Sequence, residues 1–363
     1  MKKSNMKSIN KQTKSMLITY AMVIAVFIIV EVMVSTGMMS SLMQGLLVPL
    51  CIYSIVAIGL NLCVGYLGEL SLGHAGFMCV GAFTSAFFSK CTRDVIASDG
   101  LRFFLALLIG IVTAAIFGML IGIPVLRLKG DYLAIVTLAF GEIIKNMVNV
   151  LYIGKDSKGF HVTTKDIMAL NMDADGTVIL NGPQGITGTP KNSTFVIGFI
   201  LILLTLFIVQ NLINSRDGRA IMAIRDNRIA AESIGINITK YKLMAFTISA
   251  AMAGAAGVLY AHNISTLTAN TNNFGYNMSI TILVFVVLGG IGNIRGSIIA
   301  AMILTLLPEL LRGMKDYRML IYAIVLIVMM LFNWSPKAIE WREKLNDWRK
   351  KHFSFGKKAK EVE

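Results

Sequence analysis

The sequence predicts an all-α, polytopic transmembrane helix bundle of about ten helices. Of 363 residues, 55% are hydrophobic and only 15% are charged, whereas soluble proteins average about 25% charged residues. The charges are also segregated, because six runs contain no Lys, Arg, Asp or Glu: residues 32–68, 70–89, 103–126, 193–215, 243–294 and 319–336. A transmembrane helix needs about 20 mostly apolar residues, and a soluble core helix would keep a polar face. The composition therefore excludes a soluble globular protein.

The apolar runs divide into ten predicted membrane spans. A run longer than one span has to contain a turn, so the 52-residue run 243–294 is read as more than one helix. The spans are 16–36, 42–64, 70–89, 103–126, 131–153, 193–213, 243–261, 276–290, 296–311 and 318–334.

The basic residues predict that both termini lie in the cytoplasm, since cytoplasmic loops carry an excess of Lys and Arg. Segment 1–15 contains five lysines and no acidic residue. From there, five crossings place the loop 154–192 outside, the sixth places the loop 214–242 inside, and four more place the tail 335–363 inside. The last two segments carry six basic against three acidic residues and nine against five. We therefore expect a membrane domain at 16–334 between two basic cytoplasmic tails.

Three apolar regions have unusual composition. Segments 71–86 and 249–257 are crowded with Gly, Ala and Ser, and such small residues mark close helix–helix contacts in membranes. Segment 286–296 interrupts an apolar run with glycines, Asn293 and Arg295. Two interpretations of it stay open: non-helical backbone that lines a cavity, or an ordinary turn. The loop 154–192 is long and polar, and loops of this length are usually functional or mobile.

Motifs for enzymatic chemistry are missing from the sequence. It contains no Walker A pattern, and its one glycine-rich stretch has the wrong spacing and context for a dinucleotide fingerprint. The four cysteines, Cys51, Cys63, Cys79 and Cys91, show neither metal-ligand spacing nor a disulfide framework. We expect a chain that is not an enzyme, holds no metal or cofactor and binds lipid. The net charge of +14 flanks apolar spans, so we do not expect a nucleic-acid partner.

Ionisable residues inside the spans are candidate functional residues, because each is costly in lipid. Glu142 and Lys145 stand three residues apart in the fifth span, where they can form an intramembrane ion pair on one helix face. Glu69 and His74 bracket the start of the third span, and His74 suits helix packing and substrate contact equally well. These groups do not form a relay of acids and histidines on successive helices, which argues against a proton-driven secondary transporter.

The loop 214–242 carries the strongest local pattern. The sequence predicts a helix over Gly218–Gly235, with Asp217 as N-cap and Gly235 as the C-terminal stop. Helical spacing places a small-residue face opposite a charged flank; the face comprises Ala220, Ala223, Asn227, Ala231 and Ile234, and the flank Arg225, Arg228 and Glu232. A short helix of this kind suits docking to a soluble partner. A plain interfacial helix is the alternative.

Five ordered blocks over residues 50–312 resemble the permease subunits of ABC importers for branched-chain amino acids, the LivH/LivM family. The block Leu126–Leu138 is similar to the LivM subgroup rather than to LivH. The blocks are Gly59–Leu62 with Gly65–Phe77 and Gly81–Ala82, then Leu126–Leu138, Gly218–Gly235, Ala253–Gly257 and Leu288–Gly292.

The resemblance implies a permease of the bacterial cytoplasmic membrane that imports leucine, isoleucine and valine. It also implies a LivH-type second permease, two ATP-binding subunits that hold ATP and Mg, and an extracytoplasmic substrate-binding protein. That protein would dock on outer loops including 181–189. Urea, short amides or other amino acids are alternative cargoes, and a secondary transporter is the alternative class.

The resemblance further implies that the Gly218–Gly235 segment is the coupling helix that docks on the ATPase. Ile229 stands where the family's coupling motif usually has Glu. The implied coupling residues are Arg219, Ala223, Arg225, Asp226, Asn227, Ala230, Ala231, Glu232 and Gly235. For the translocation path, the chosen polar residues are Asn61, Glu69, Ser71, His74, Thr137 and Glu142.

Overall fold

The computed structural model of the chain describes residues 2–126, 132–173 and 176–334. The predicted tail 335–363 and residues 127–131 of the Leu126–Leu138 block lie outside this part. The chain divides into two compact units, residues 1–305 and 306–363, and each is described by itself.

Helices dominate the first unit. Residues 2–15 of the predicted tail 1–15 belong to the first helix. The helices are α1 (Lys2–Ser35), α2 (Ser41–Asn61), α3 (His74–Cys91), α4 (Asp99–Val125), α5 (Tyr132–Val150), α6 (Phe195–Asn214), α7 (Arg216–Asp226), α8 (Arg228–Ser233), α9 (Ile238–Ala261), α10 (Thr271–Phe274), α11 (Tyr276–Gly289) and α12 (Ile294–Leu310). The last of these ends in the second unit, which continues with a 3₁₀ segment, Leu311–Tyr317, and α13 (Arg318–Trp334).

Eight helical segments of the described residues are long and apolar enough to cross a membrane. They correspond to eight of the ten predicted spans, and the other two, 70–89 and 318–334, fall on α3 and α13. The all-α polytopic membrane fold is therefore confirmed. The cytoplasmic placement of both termini stays a prediction. The eight segments are Met16–Ser35, Ser41–Leu67, Asp99–Val125, Tyr132–Val150, Phe195–Asn214, Ile238–Ala261, Thr271–Gly289 and Ile294–Gly313.

Close backbone contact between α3 and α9 forms the centre of the first unit. A Cβ added to Gly81 would lie 2.4 Å from the carbonyl oxygen of Gly254, and one added to Gly257 would lie 2.1 Å from that of Met78. Both glycine positions thus exclude any larger residue without a backbone shift. This confirms the predicted close packing of segments 71–86 and 249–257, which contribute these contacts.

The connection from α2 to α3 is not a regular helix. Leu62–Leu67 form a π-helical turn, Gly68 adopts a left-handed φ of 77°, and α3 begins only at His74. The prediction that the third span starts at residue 70 is therefore wrong, because Gly68 ends the preceding helix in a conformation that glycine adopts without steric cost. We call Leu62–Gly73 the junction segment.

Within segment 286–296, residues 290–293 form a tight turn between α11 and α12. Gly290 and Gly292 have φ values of 96° and 79°, a region that other residues rarely adopt. Gly292 and Asn293 also line a cavity of about 300 Å³, so the choice between a turn and cavity-lining backbone stays open.

The loop 154–192 is not structureless, as it contributes to two small antiparallel sheets. One sheet has the strand order β2-β1-β3 and the other pairs β4 with β5. In the first, Gly154 lies opposite His161 on one side and opposite Val178 on the other. The strands are β1 (Tyr152–Asp156), β2 (Gly159–Thr163), β3 (Thr177–Asn181), β4 (Ile186–Thr187) and β5 (Thr266–Leu267).

Asp156 fixes the turn between β1 and β2. Its Oδ1 accepts hydrogen bonds from the backbone N–H groups of Lys158 at 2.8 Å and Gly159 at 3.0 Å, and its Oδ2 lies 2.9 Å from His161 Nε2. Burial raises the pKa of this carboxyl, but the backbone N–H groups of Lys158 and Asp173 and the ring of His161 outweigh burial and hold the pKa below its usual value. The hairpin is thus held by an ionised carboxylate.

Candidate functional site: the junction segment and the helices that contact it

Helix α7 begins two residues earlier than the sequence predicts. Ser215 is its N-cap, and the Ser215 hydroxyl accepts a hydrogen bond from Gly218 N at 3.1 Å. The predicted N-cap, Asp217, instead lies in the first turn, where its charge interacts favourably with the helix dipole. The correction follows from the extended backbone of Ser215, with φ −75° and ψ 177°, which directs the hydroxyl toward the helix start.

The predicted single helix Gly218–Gly235 is two helices. Asn227 leaves the helical region with φ −156° and ψ 103°, and its Oδ1 accepts a hydrogen bond from Ala230 N at 3.0 Å. Asn227 therefore caps α8 rather than continuing α7, because its short amide competes with the helical backbone bond. Gly235 follows with a φ of 83°, consistent with its predicted role as the stop.

The break at Asn227 rearranges the predicted faces. The buried face carries Ile221, Ile224 and Ala231, which are 1%, 4% and 2% exposed. The predicted small-residue face is wrong where it includes Ala231, because that side chain is buried inside the chain, whereas Ile234 and Ile229 are 75% and 81% exposed. Apolar residues are therefore exposed on α8 and just after it, beside the exposed Glu232 and Ser233. We call Ile229, Ala230, Ile234 and Gly235 the outer surface of α8.

Arg225 connects α7 to the junction segment. Its Nη1 donates a hydrogen bond to the Gly65 carbonyl at 2.9 Å, and Nε and Nη2 donate to Asp226 Oδ1 at 3.0 and 2.8 Å. Gly68 lies directly against it, since a Cβ at that position would be 2.6 Å from Arg225 Cγ. Arg225 therefore joins α7 directly to the π-helical turn and to Gly68.

Asn61 connects the end of α2 to the turn between α11 and α12. Its Oδ1 accepts a hydrogen bond from Gly292 N and its Nδ2 donates to Ser297 Oγ, each at 2.8 Å. The side chain is fully buried, so both ends of the amide find partners inside the chain.

His74 connects α3 to α9 and to the junction segment. Its Nε2 lies 2.6 Å from Ser249 Oγ and its Nδ1 lies 3.2 Å from Ser71 Oγ. The Ser249 hydroxyl donates its single proton to the Gly59 carbonyl at 2.5 Å. Nε2 of His74 must then be the donor to Ser249, so this hydrogen-bond network places a proton on Nε2.

Two further side chains hold the junction segment. Glu69 forms an ion pair with Lys242 of α9, whose side chain is 4% exposed. Thr137 of α5 accepts a hydrogen bond from Leu72 N at 3.0 Å and donates to the Ala134 carbonyl at 3.0 Å. Both contacts join the segment to a neighbouring helix.

Five of the six residues chosen for the translocation path thus surround the junction segment. In this structure each makes a hydrogen bond or ion pair with another part of the chain, so each contributes to helix packing. Their contact with a substrate stays a prediction. The five are Asn61, Glu69, Ser71, His74 and Thr137.

Glu142, the sixth, lies in a separate cluster with Lys145. Lys145 Nζ is 2.5 Å from Glu142 Oε2 and 3.3 Å from Thr271 Oγ1. Glu142 Oε1 also accepts a hydrogen bond from Tyr276 N at 2.7 Å, at the positive end of the α11 dipole. The pair therefore fastens α5 to α10 and α11.

Lys242 and Ser249 were not singled out from the sequence. Ser249 belongs to a segment noted only for its small residues. Lys242 immediately precedes the charge-free run 243–294, and Glu69 separates two other charge-free runs. Both charges are isolated beside apolar spans, where a charge is costly unless it has a partner. This isolation is the sequence feature that could have predicted the pair.

Comparison with known proteins gives consistent matches. The family described as "Branched-chain amino acid transport system / permease component" matches residues 42–332. The high-affinity branched-chain amino acid transport system permease protein LivM of Salmonella typhimurium is 35% identical over 323 residues, which are 79% of this chain and 67% of that protein. LivM of Escherichia coli is 34% identical over 322 residues, with the same coverage. LivH of Escherichia coli is 24% identical over 257 residues, 69% of this chain and 79% of LivH. No solved structure gives a significant match.

Removing one member of the Glu142–Lys145 pair should destabilise the protein more than removing both charges. Glu142→Gln leaves the Lys145 ammonium buried with only Thr271 as its partner, which should cost about 3 kcal/mol. The double variant Glu142→Gln/Lys145→Met buries no charge and should recover most of that loss. Thermal unfolding of the three proteins in one detergent measures the difference. Equal melting temperatures for the single and double variants would contradict the interpretation.

Proposed function

Because the chain belongs to the family of permease components of branched-chain amino acid transport systems, we propose that it is the membrane-spanning subunit of an ATP-driven importer for leucine, isoleucine and valine. The observation that carries this proposal is the 35% identity to LivM over 79% of the chain. The eight apolar segments agree with a multi-pass protein of the bacterial cytoplasmic membrane. A member of a transport permease family is not expected to catalyse a reaction itself.

The partners follow from the same comparison. Matches to both LivM and LivH support a second, LivH-type permease beside this chain. We assign ATP and Mg to two partner ATPase subunits, and delivery of the amino acid to an extracytoplasmic binding protein. In this assignment the chain supplies no nucleotide site of its own.

The outer surface of α8 is the proposed contact with an ATPase subunit. Ile229 and Ile234 are 81% and 75% exposed at its two ends, and Ala230 and Gly235 are exposed between and beside them. Apolar side chains at the centre of an interface with small neighbours favour docking into a cleft. The Ile at position 229, where the family's motif usually has Glu, shifts this contact from charged to apolar.

Motion of the ATPase would reach the membrane spans through Arg225. A displacement of α7 is passed to Gly65 by the Arg225 hydrogen bond. The junction segment then acts on α9 through Glu69–Lys242, and the adjoining Asn61 acts on the α11–α12 turn. Alternating access follows if these helices repack when the ATPases close on ATP.

Transport by the complete assembly tests the function. In proteoliposomes that contain both permeases and both ATPases, uptake of labelled leucine should require internal ATP and external loaded binding protein. Valine and isoleucine should compete with leucine for uptake, because one binding protein would deliver all three. Uptake of leucine by this chain alone, driven by an ion gradient, would contradict the proposal and support a secondary transporter.

A charge placed on the outer surface of α8 should uncouple the ATPase. Ala230→Glu would bury an unpaired carboxylate at the proposed contact and should reduce ATPase association at least about tenfold. Ala97→Glu is the matched control, since Ala97 is also exposed but precedes α4. Co-purification of the ATPase subunits with each variant measures the effect. Equal recovery of ATPase with both variants would exclude docking at Ala230.

A further inference from the structure

An apolar groove lies between α3, α4 and α5, beneath the strands of the loop 154–192. Its volume is about 490 Å³, which falls in the range of about 300–1,000 Å³ of small-molecule sites. Helix α3 forms its floor, α4 and α5 form its walls, and β1, β3 and β4 close one end. The side chains that form it include Phe83, Phe87, Ile109, Phe117, Ile153 and Leu180.

Both hydroxyl groups inside the groove already have hydrogen-bond partners. Thr84 and Thr113 lie in its floor and wall, and their hydroxyl oxygens are 3.0 Å apart. Each hydroxyl is also hydrogen-bonded to a carbonyl of its own helix, Thr84 to Val80 at 2.7 Å and Thr113 to Ile109 at 2.9 Å. Whatever enters the groove therefore has to be apolar along its length, because a polar group would lose its hydrogen bonds there.

The strand-bearing end of the groove is basic. Lys90 Nζ donates hydrogen bonds to the Val178 carbonyl at 2.8 Å and the Ile179 carbonyl at 3.4 Å. Lys155 lies on the same face of β1 as Ile153, which lines the groove, because strand residues alternate between faces. Lys155 pairs with Thr177 of β3, and Thr177 directly precedes Val178, whose carbonyl Lys90 contacts.

Both ammonium groups are close to the groove itself. Lys90 directly precedes Cys91, which lines it, and Lys155 follows Ile153, which also lines it, by two residues in β1. The neighbouring carboxylate of Asp156 is engaged by His161, and the exposed Arg93 and Asp94 carry opposite charges. An apolar slot thus ends at two positive charges.

We propose that this groove holds one acyl chain of a phospholipid with an anionic headgroup, whose phosphate lies at Lys90 and Lys155. The combination of a hydrocarbon-only slot and a basic end matches the two parts of such a lipid, since basic residues attract anionic headgroups. A helix of a second permease is a poorer match, because a helix with its side chains is about 10–12 Å across and would cover the groove rather than fill it. The proposal depends on the membrane location and not on the amino acid transported.

Native mass spectrometry of the assembled transporter in detergent tests the headgroup. With equal amounts of phosphatidylglycerol and phosphatidylcholine, the assembly should retain phosphatidylglycerol selectively. Lys155→Gln should reduce that retention about fivefold, because one basic residue near an anionic headgroup contributes about this factor. Lys158→Gln is the matched control, since the Lys158 side chain is 71% exposed in the turn between β1 and β2 and pairs with Asp173. Equal retention of the two lipids, or equal loss in both variants, would overturn the proposal.

A photo-cross-linking residue at Phe87 tests the acyl chain. Phe87 lines the groove and is half-buried, so p-benzoyl-L-phenylalanine at this position should form an adduct with the mass of a phospholipid in membranes. An adduct with the second permease, or no lipid adduct, would overturn the proposal. Neither result would affect the leucine-uptake test, so failure of the lipid site and failure of the proposed function are distinguishable.

Discussion

Much of the backbone between α2 and α3 is buried, with Gly68 and Leu70 exposed, and it is not a regular helix, so its buried polar groups have to find partners elsewhere. An unpaired N–H or C=O in such a place costs about as much as a lost hydrogen bond. The structure meets this requirement with side chains from separate helices. Arg225 of α7 donates to the Gly65 carbonyl, Thr137 of α5 accepts from Leu72 N, and Ser279 of α11 accepts from Ala75 N at the start of α3. The junction segment is consequently the place where these helices meet.

This arrangement supports the proposal that a partner subunit acts on the membrane spans through α7 and α8. The outer surface of α8 is apolar and exposed, while the buried face of α7 packs on the bundle through Ile221 and Ile224. Arg225 then joins the loop helices to the same backbone that α5, α9 and the α11–α12 turn hold in place. Small residues between α3 and α9 bring those backbones into contact. Because the helices are tightly packed, a local shift is expected to move whole helices rather than to be absorbed within the core.

The membrane spans could be predicted because length and charge exclusion are physical requirements of lipid. The ion pair of Glu142 and Lys145 could also be expected, since three residues of separation place both side chains on one helix face. The pair of Glu69 and Lys242 could not be derived from spacing, because 173 residues separate its members. Only the three-dimensional packing of α9 against the junction segment brings them together.

The local details that the sequence could not predict share one cause. At each of these positions, the residues are compatible with more than one local structure. Ser215 and Asp217 are both good N-caps, and the extended backbone at Ser215 decides between them. Asn227 suits a helix interior poorly but a cap well, so the break follows from its local hydrogen bond. The strands β1, β2 and β3 are only five residues long, too short for a clear alternating pattern within a loop that has mixed composition.

The coupling role of Arg225 is tested most directly by leucine uptake. The assembled transporter would carry Arg225→Ala, with Arg216→Ala as the control on the same helix. Arg216 is exposed and lies at the opposite end of α7 from Arg225. Both variants should retain the ATPase subunits, and only Arg225→Ala should lose uptake, by about tenfold, a typical size for energetic coupling between two sites. Equal uptake by the two variants would show that α7 does not act on the spans through Gly65.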